Sequence, residues 1–86
     1  MEMNAPMARH FFETSDFWLA GALIASGKKL TTITWRGKRA FFIFDDSIGC
    51  QAASEAYFRE DLIVKAKRFS DALRTLKDRL FNHDLT

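Results

Sequence analysis

The stretch 30–44 constrains this chain more than any other part of it. Residues 30–35 are mostly β-branched or aromatic and alternate in polarity, a pattern that suits a strand. Arg36, Gly37, Lys38 and Arg39 then supply a turn in which Gly37 is free to take a positive φ. Residues 40–44 form the returning strand. Strand side chains alternate faces, so Ile33 and Trp35 oppose Thr32 and Thr34. In the return strand Phe42 and Phe44 share one side, and Phe41 and Ile43 share the other. That strand is therefore apolar on both faces. Three arrangements accommodate it. Helices sandwich the sheet, or the second face meets another chain, or an uncovered ring stacks on a base.

The chain has 86 residues, the size of one modest domain. Thr14, Ser15 and Asp16 offer side-chain oxygens to a helix start. The helix they open runs over 16–26 and stops at Gly27. It is apolar nearly all round, so it calls for burial on more than one side. Its small residues Ala20, Gly21, Ala22 and Ala25 allow a close neighbour. Asp45, Asp46 and Ser47 end the hairpin and cap a second helix over 48–59. Leu62, Ile63 and Val64 form a short apolar run that reads as a third strand. Phe69, Leu73, Leu76 and Leu80 recur at helical spacing and mark a final helix. Along it Lys67 and Asp71, and Arg74 and Asp78, stand at ion-pairing distance.

The expected fold is thus a small single α+β domain. Its order is helix, β-hairpin, helix, short strand, helix, with the helices packed on a two- or three-stranded antiparallel sheet. Residues 1–13 read as a flexible N-terminal arm, within which 10–13 could extend as a short strand, since Phe11 and Phe12 are good strand formers. Residues 14–82 make the domain and 83–86 a C-terminal tail. The expected core is Phe17, Leu23, Ile24, Phe42, Phe44, Phe69, Leu73, Leu76 and Leu80.

Chemistry is sparse. Cys50 is the single cysteine, which rules out an internal disulfide and a cysteine-rich zinc site. It suits a cytoplasmic, reducing setting. Residues 1–13 lack the apolar run of a signal peptide. No run approaches the ~20 apolar residues of a membrane helix. A nucleophilic Cys50 would need His10 or His83, both near chain ends, and a small packing residue is the better reading. The adjacent Asp45 and Asp46 resemble an acid/base or magnesium pair. Capping explains them more simply. No glycine-rich phosphate loop is present. No catalytic residue, metal or other cofactor is expected, and the chain is read as a non-enzyme.

Charge is unevenly laid out. Between Asp16 and Asp45 there are five bases, Lys28, Lys29, Arg36, Lys38 and Arg39, and no acid. From Asp45 to Asp61 there are five acids against Arg59 alone. Bases interleaved with aromatics suit a nucleic-acid surface, here Lys28, Lys29, Arg36, Lys38, Arg39 and Phe41. The acidic segment instead suits a protein partner or a second copy of the chain.

Three local patterns carry a family resemblance. They are Thr14-Ser15-Asp16 before a helix ending in Gly27, Phe42 and Phe44 followed by Asp45, and Leu76-Lys77 with Arg79-Leu80. Together they resemble a family of small bacterial and phage proteins catalogued as a domain of unknown function. The resemblance covers about residues 14–81. It implies an α+β fold and a prokaryotic or phage origin, and brings no catalytic residues. The resulting expectation is a small, phage- or mobile-element-related binding module that contacts nucleic acid through the basic hairpin. The alternative is a protein-interaction module, either a homodimer or a phage-encoded inhibitor or adaptor of a host protein. That module would use the hairpin face and the acidic patch.

Overall fold

A computed structural model describes residues 11–85, with side chains described through residue 82. Three strands and three helices follow in the order β1 (Phe12–Thr14), α1 (Phe17–Ala25), β2 (Leu30–Arg36), β3 (Arg39–Phe44), α2 (Ser47–Phe58) and α3 (Ala66–Leu85). The strands form one antiparallel sheet in the order β1-β3-β2. This is the expected α+β architecture with one correction. The third strand is not 62–64, which lies in the irregular link between α2 and α3. It is β1, which pairs Phe12, Glu13 and Thr14 with Phe44, Ile43 and Phe42. The sheet therefore begins inside the stretch assigned to the arm. One ring supplies the reason, because Phe12 packs against the core cluster and brings its backbone to the free edge of β3. Residues 1–10, including the His10 end of the expected strand, and the tip of the tail lie outside the described residues.

The hairpin closes through Gly37 and Lys38 between the paired residues Arg36 and Arg39. Gly37 has φ +63°, and Lys38 is not among the positive-φ residues, the φ signs of a type II′ turn. Along β2 the pairing slips by one residue between Leu30 and Thr32. The extra residue, Thr31, reverses the alternation. Without it Leu30 would join Thr32 and Thr34. With it, Leu30 lies opposite Phe44 and packs on the core.

All the sheet's core residues come from one face. Phe42 and Phe44 are fully buried with Leu19, Ala20, Leu23, Cys50 and Leu76. Phe12, Leu30, Ile33 and Ala40 pack around them. Phe41 and Ile43 stand outside this cluster and are half-buried. The molecule measures 42 × 36 × 17 Å. A helix layer lies about 10 Å from a sheet, so 17 Å holds one helix layer and no second. Among the described residues the helices do not sandwich the sheet, and its second face is left open.

Helix α1 starts at Asp16, whose carboxylate accepts from Leu19 N–H at 3.0 Å. Three neighbours, α3, α2 and the sheet, cover most of its apolar residues, while Trp18 is left exposed. Gly21 sets the approach to α3. A Cβ there would lie 2.5 Å from Leu73 Cδ2 and 3.5 Å from Phe69. On α3, Leu76 and Ala72 are buried, whereas Phe69, Leu73 and Leu80 are half-buried. The apolar stripe is as expected, but its deepest point is Leu76.

Both α1 and α2 end in a Schellman arrangement. Lys28 N–H reaches Leu23 C=O, and Gly27 N–H reaches Ile24 C=O. Asp61 N–H reaches Ala56 C=O, and Glu60 N–H reaches Tyr57 C=O. The left-handed residue is Gly27 in one and Glu60, with φ 66°, in the other.

Candidate nucleic-acid interface

Strand pairing assembles the hairpin tip. Arg36 and Arg39 are directly opposed across β2 and β3, so both side chains leave the open face. Like charges in opposed positions repel, and exposed Lys38 sits in the turn between them. One carboxylate answers them. Glu13 on β1 receives Arg36 in a two-point fork, with Nη1 to Oε2 at 2.7 Å and Nη2 to Oε1 at 3.0 Å. The same guanidinium lies over the Phe41 ring, 4.1 Å from its centroid. Phe41 is thus roofed by an arginine and not by a helix. Among the described residues Lys38 and Arg39 make no ion pair.

The structure divides the expected set of site residues. Arg36, Lys38, Arg39 and Phe41 gather at the tip. Lys28 and Lys29 precede β2 at the hairpin's other end, about 20 Å away along the strand. Lys28 Nζ is held by Asp46 at 3.2 Å. Lys29 contributes its carbonyl to Asp45 N–H at 3.1 Å. Two of the six residues therefore belong to an end that carries two acids, not to the basic tip.

The acidic pair at that end is structural. Asp45 accepts from the bulged Thr31 hydroxyl at 3.0 Å. Asp46 caps α2 by accepting from Gly49 N–H at 3.0 Å, and takes a left-handed φ of 65° to do so. That amide, together with Lys28, holds the Asp46 carboxyl below its ordinary range. A Cβ on Gly49 would collide with the Asp46 carboxylate and come within 2.6 Å of Lys28 Nζ. Cys50 is fully buried behind this turn, its Sγ 3.3 Å from Asp45 C=O. Burial pushes its thiol pKa up, which disfavours the nucleophilic thiolate. The side chains of His10 and His83 lie outside the described residues. Among the described residues no three of His, Cys, Asp and Glu converge on a point that could hold a metal. No described helix is long and apolar enough to cross a membrane.

On α3, Lys67 pairs with Asp71 at 2.8 Å as its spacing suggests. Arg74 turns back to Asp71 at 3.6 Å, and no pair with Asp78 forms. Helical side chains lean toward the N-terminus, which favours the partner one turn before. The two cations hold Asp71 below its ordinary pKa range, Lys67 through its hydrogen bond first. This face is a neutralised ion-pair surface.

The family model described as "Domain of unknown function (DUF5659)" matches residues 9–82. The chain belongs to the DUF5659 family. The match begins ahead of β1, so the family unit includes the strand that carries Glu13. No curated protein and no solved structure matches significantly.

The contribution of Glu13 was not legible in the sequence. Its partner Arg36 lies 23 residues away and meets it only through the β1–β3 pairing. The one local signal was Phe11-Phe12-Glu13, a strand-forming pair followed by an acid.

Proposed function

We propose that this protein is a non-enzymatic binding module that takes nucleic acid at the hairpin tip. One observation carries the reading: Arg36 faces Arg39 directly, Lys38 sits between them, and among the described residues a single carboxylate is paired with these three cations. An arrangement of like charges gains most from an external polyanion. The open sheet face supplies the surface beside it. The absence of a helix over Phe41 and Ile43 leaves room for an extended strand of nucleotides. A phage or mobile-element setting is part of this proposal.

The test is fluorescence anisotropy with labelled single-stranded and duplex oligonucleotides at low salt. Wild type should bind, and the charge reversal Lys38→Glu with Arg39→Glu should abolish binding while circular dichroism stays unchanged. Wild type failing to bind either oligonucleotide would end the reading.

A second reading rests on the uneven charge of the hairpin's two ends. At one end Asp45 and Asp46 stand beside Lys28 and Lys29, whereas at the other three bases meet the Glu13 carboxylate. A second copy could dock head-to-tail. Concentration-dependent association in sedimentation, lost in the same reversal variant without any oligonucleotide binding, would favour it.

A further inference from the structure

Arg36 makes two contacts that a bound nucleic acid would compete for. Its guanidinium fork is filled by the Glu13 carboxylate, at 2.7 and 3.0 Å. Its flat face covers the Phe41 ring at 4.1 Å. A carboxylate and a phosphate present the same pair of acceptor oxygens to an arginine fork. The pair is open to water, with Arg36 and Glu13 side chains 58% and 39% exposed, so exchange has a small cost.

We infer that Glu13 acts as a built-in stand-in for phosphate, and that the tip's ligand is single-stranded nucleic acid. This rests on the reading of the tip as a nucleic-acid site and adds to it a partner class and a gating residue. A backbone phosphate displaces Glu13 from Arg36. The guanidinium follows the phosphate off the Phe41 ring, and the freed ring takes a base. A duplex offers phosphates but keeps its bases stacked inside, so it gains only the first half of the exchange. Glu13 sets the threshold. A weak or isolated anion does not displace it, whereas a strand delivering several phosphates to Arg36, Lys38 and Arg39 together does.

Glu13→Gln keeps the side-chain shape and removes the competing charge. It should tighten binding of a labelled single-stranded oligonucleotide about two- to five-fold, the scale of an exposed ion pair. The gain should vanish when Arg36→Ala is added. Phe41→Leu, which preserves apolar packing, should weaken single-strand binding about tenfold and leave duplex binding unchanged. In NMR spectra the Arg36 Nε–H resonance, shielded by the Phe41 ring in the free protein, should move downfield on titration with the single strand. Two results would overturn the inference and leave the nucleic-acid reading intact. One is wild-type binding that Glu13→Gln leaves unchanged or weakens, and the other is equal loss of single-strand and duplex affinity in Phe41→Leu. Absence of binding by wild type to either oligonucleotide would overturn both.

Discussion

Glu60 adopts the same left-handed backbone as Gly27. Each is the second residue beyond its helix, directly after the C-cap, with φ 66° and 101° respectively, and each donates its amide to the carbonyl three residues back. Only glycine takes this conformation without Cβ crowding. Glu60→Gly should therefore stabilise the domain by about 0.5–1 kcal/mol, and Gly27→Ala should destabilise it by about 1–2 kcal/mol. Urea unfolding measures both, and a destabilised Glu60→Gly would show that its side chain has a role of its own.

Gly49→Ala should run against helix propensity. Alanine in a helix interior usually gains about 0.5–1 kcal/mol over glycine. Here the new methyl collides with the Asp46 carboxylate and crowds Lys28. The cap is worth about 0.5–2 kcal/mol, so the net change should be a loss of about 1 kcal/mol. A gain in the urea midpoint would mean that the cap swings aside at little cost.

Acid should weaken the same cap. The Asp46 carboxyl is held below its ordinary value, first by Gly49 N–H and then by Lys28. A depressed folded pKa stabilises above the unfolded value of about 3.9 and loses that contribution as pH falls through the folded value. Asp46→Asn keeps a good capping oxygen without the titration. Its stability should therefore fall less steeply than wild type below about pH 4, because it lacks the charge-dependent part of the cap at every pH. Parallel thermal melts from pH 7 to pH 2 read the two curves, and identical slopes would exclude Asp46 as a contributor.

Gly21 and Leu73 should be energetically coupled. A methyl at position 21 lies 2.5 Å from Leu73 Cδ2, so Gly21→Ala alone should cost about 1–3 kcal/mol. In a Leu73→Ala background the same change should be neutral or stabilising. Leu76→Ala, at the fully buried point of α3, should cost about 2–5 kcal/mol, and half-buried Leu73→Ala should cost less. Additive effects at 21 and 73 would mean that α1 and α3 do not meet there.

Local signals explain what the sequence disclosed. The caps at Asp16 and Asp46, the stop at Gly27, the Gly37 turn and the stripe through Leu76 all follow from residues within a few positions of one another. The third strand was misplaced because Leu62, Ile63 and Val64 and Phe11 and Phe12 are equally good strand formers. What decides between them is which run the link lengths bring to the free edge of β3, a property of the assembled fold. The reversal at Thr31 was hidden for a similar reason, since an added residue shows only when both strands are in register. At the tip, the basic turn was plain from composition. Its counterion Glu13 and its distance from Lys28 and Lys29 were set by strand pairing. The roof over Phe41 needed both.

The central claim is that the tip, and not the whole basic stretch, contacts phosphate. The salt dependence of single-strand affinity tests it most directly. Each phosphate contact adds about −0.7 to the slope of log K against log salt. Lys38→Ala and Arg39→Ala should each flatten the slope by about that amount, and Lys29→Ala, at the far end of the hairpin, should leave it unchanged. A slope that flattens with Lys29→Ala but not with the two tip variants, or no measurable binding at the lowest salt, would contradict the account.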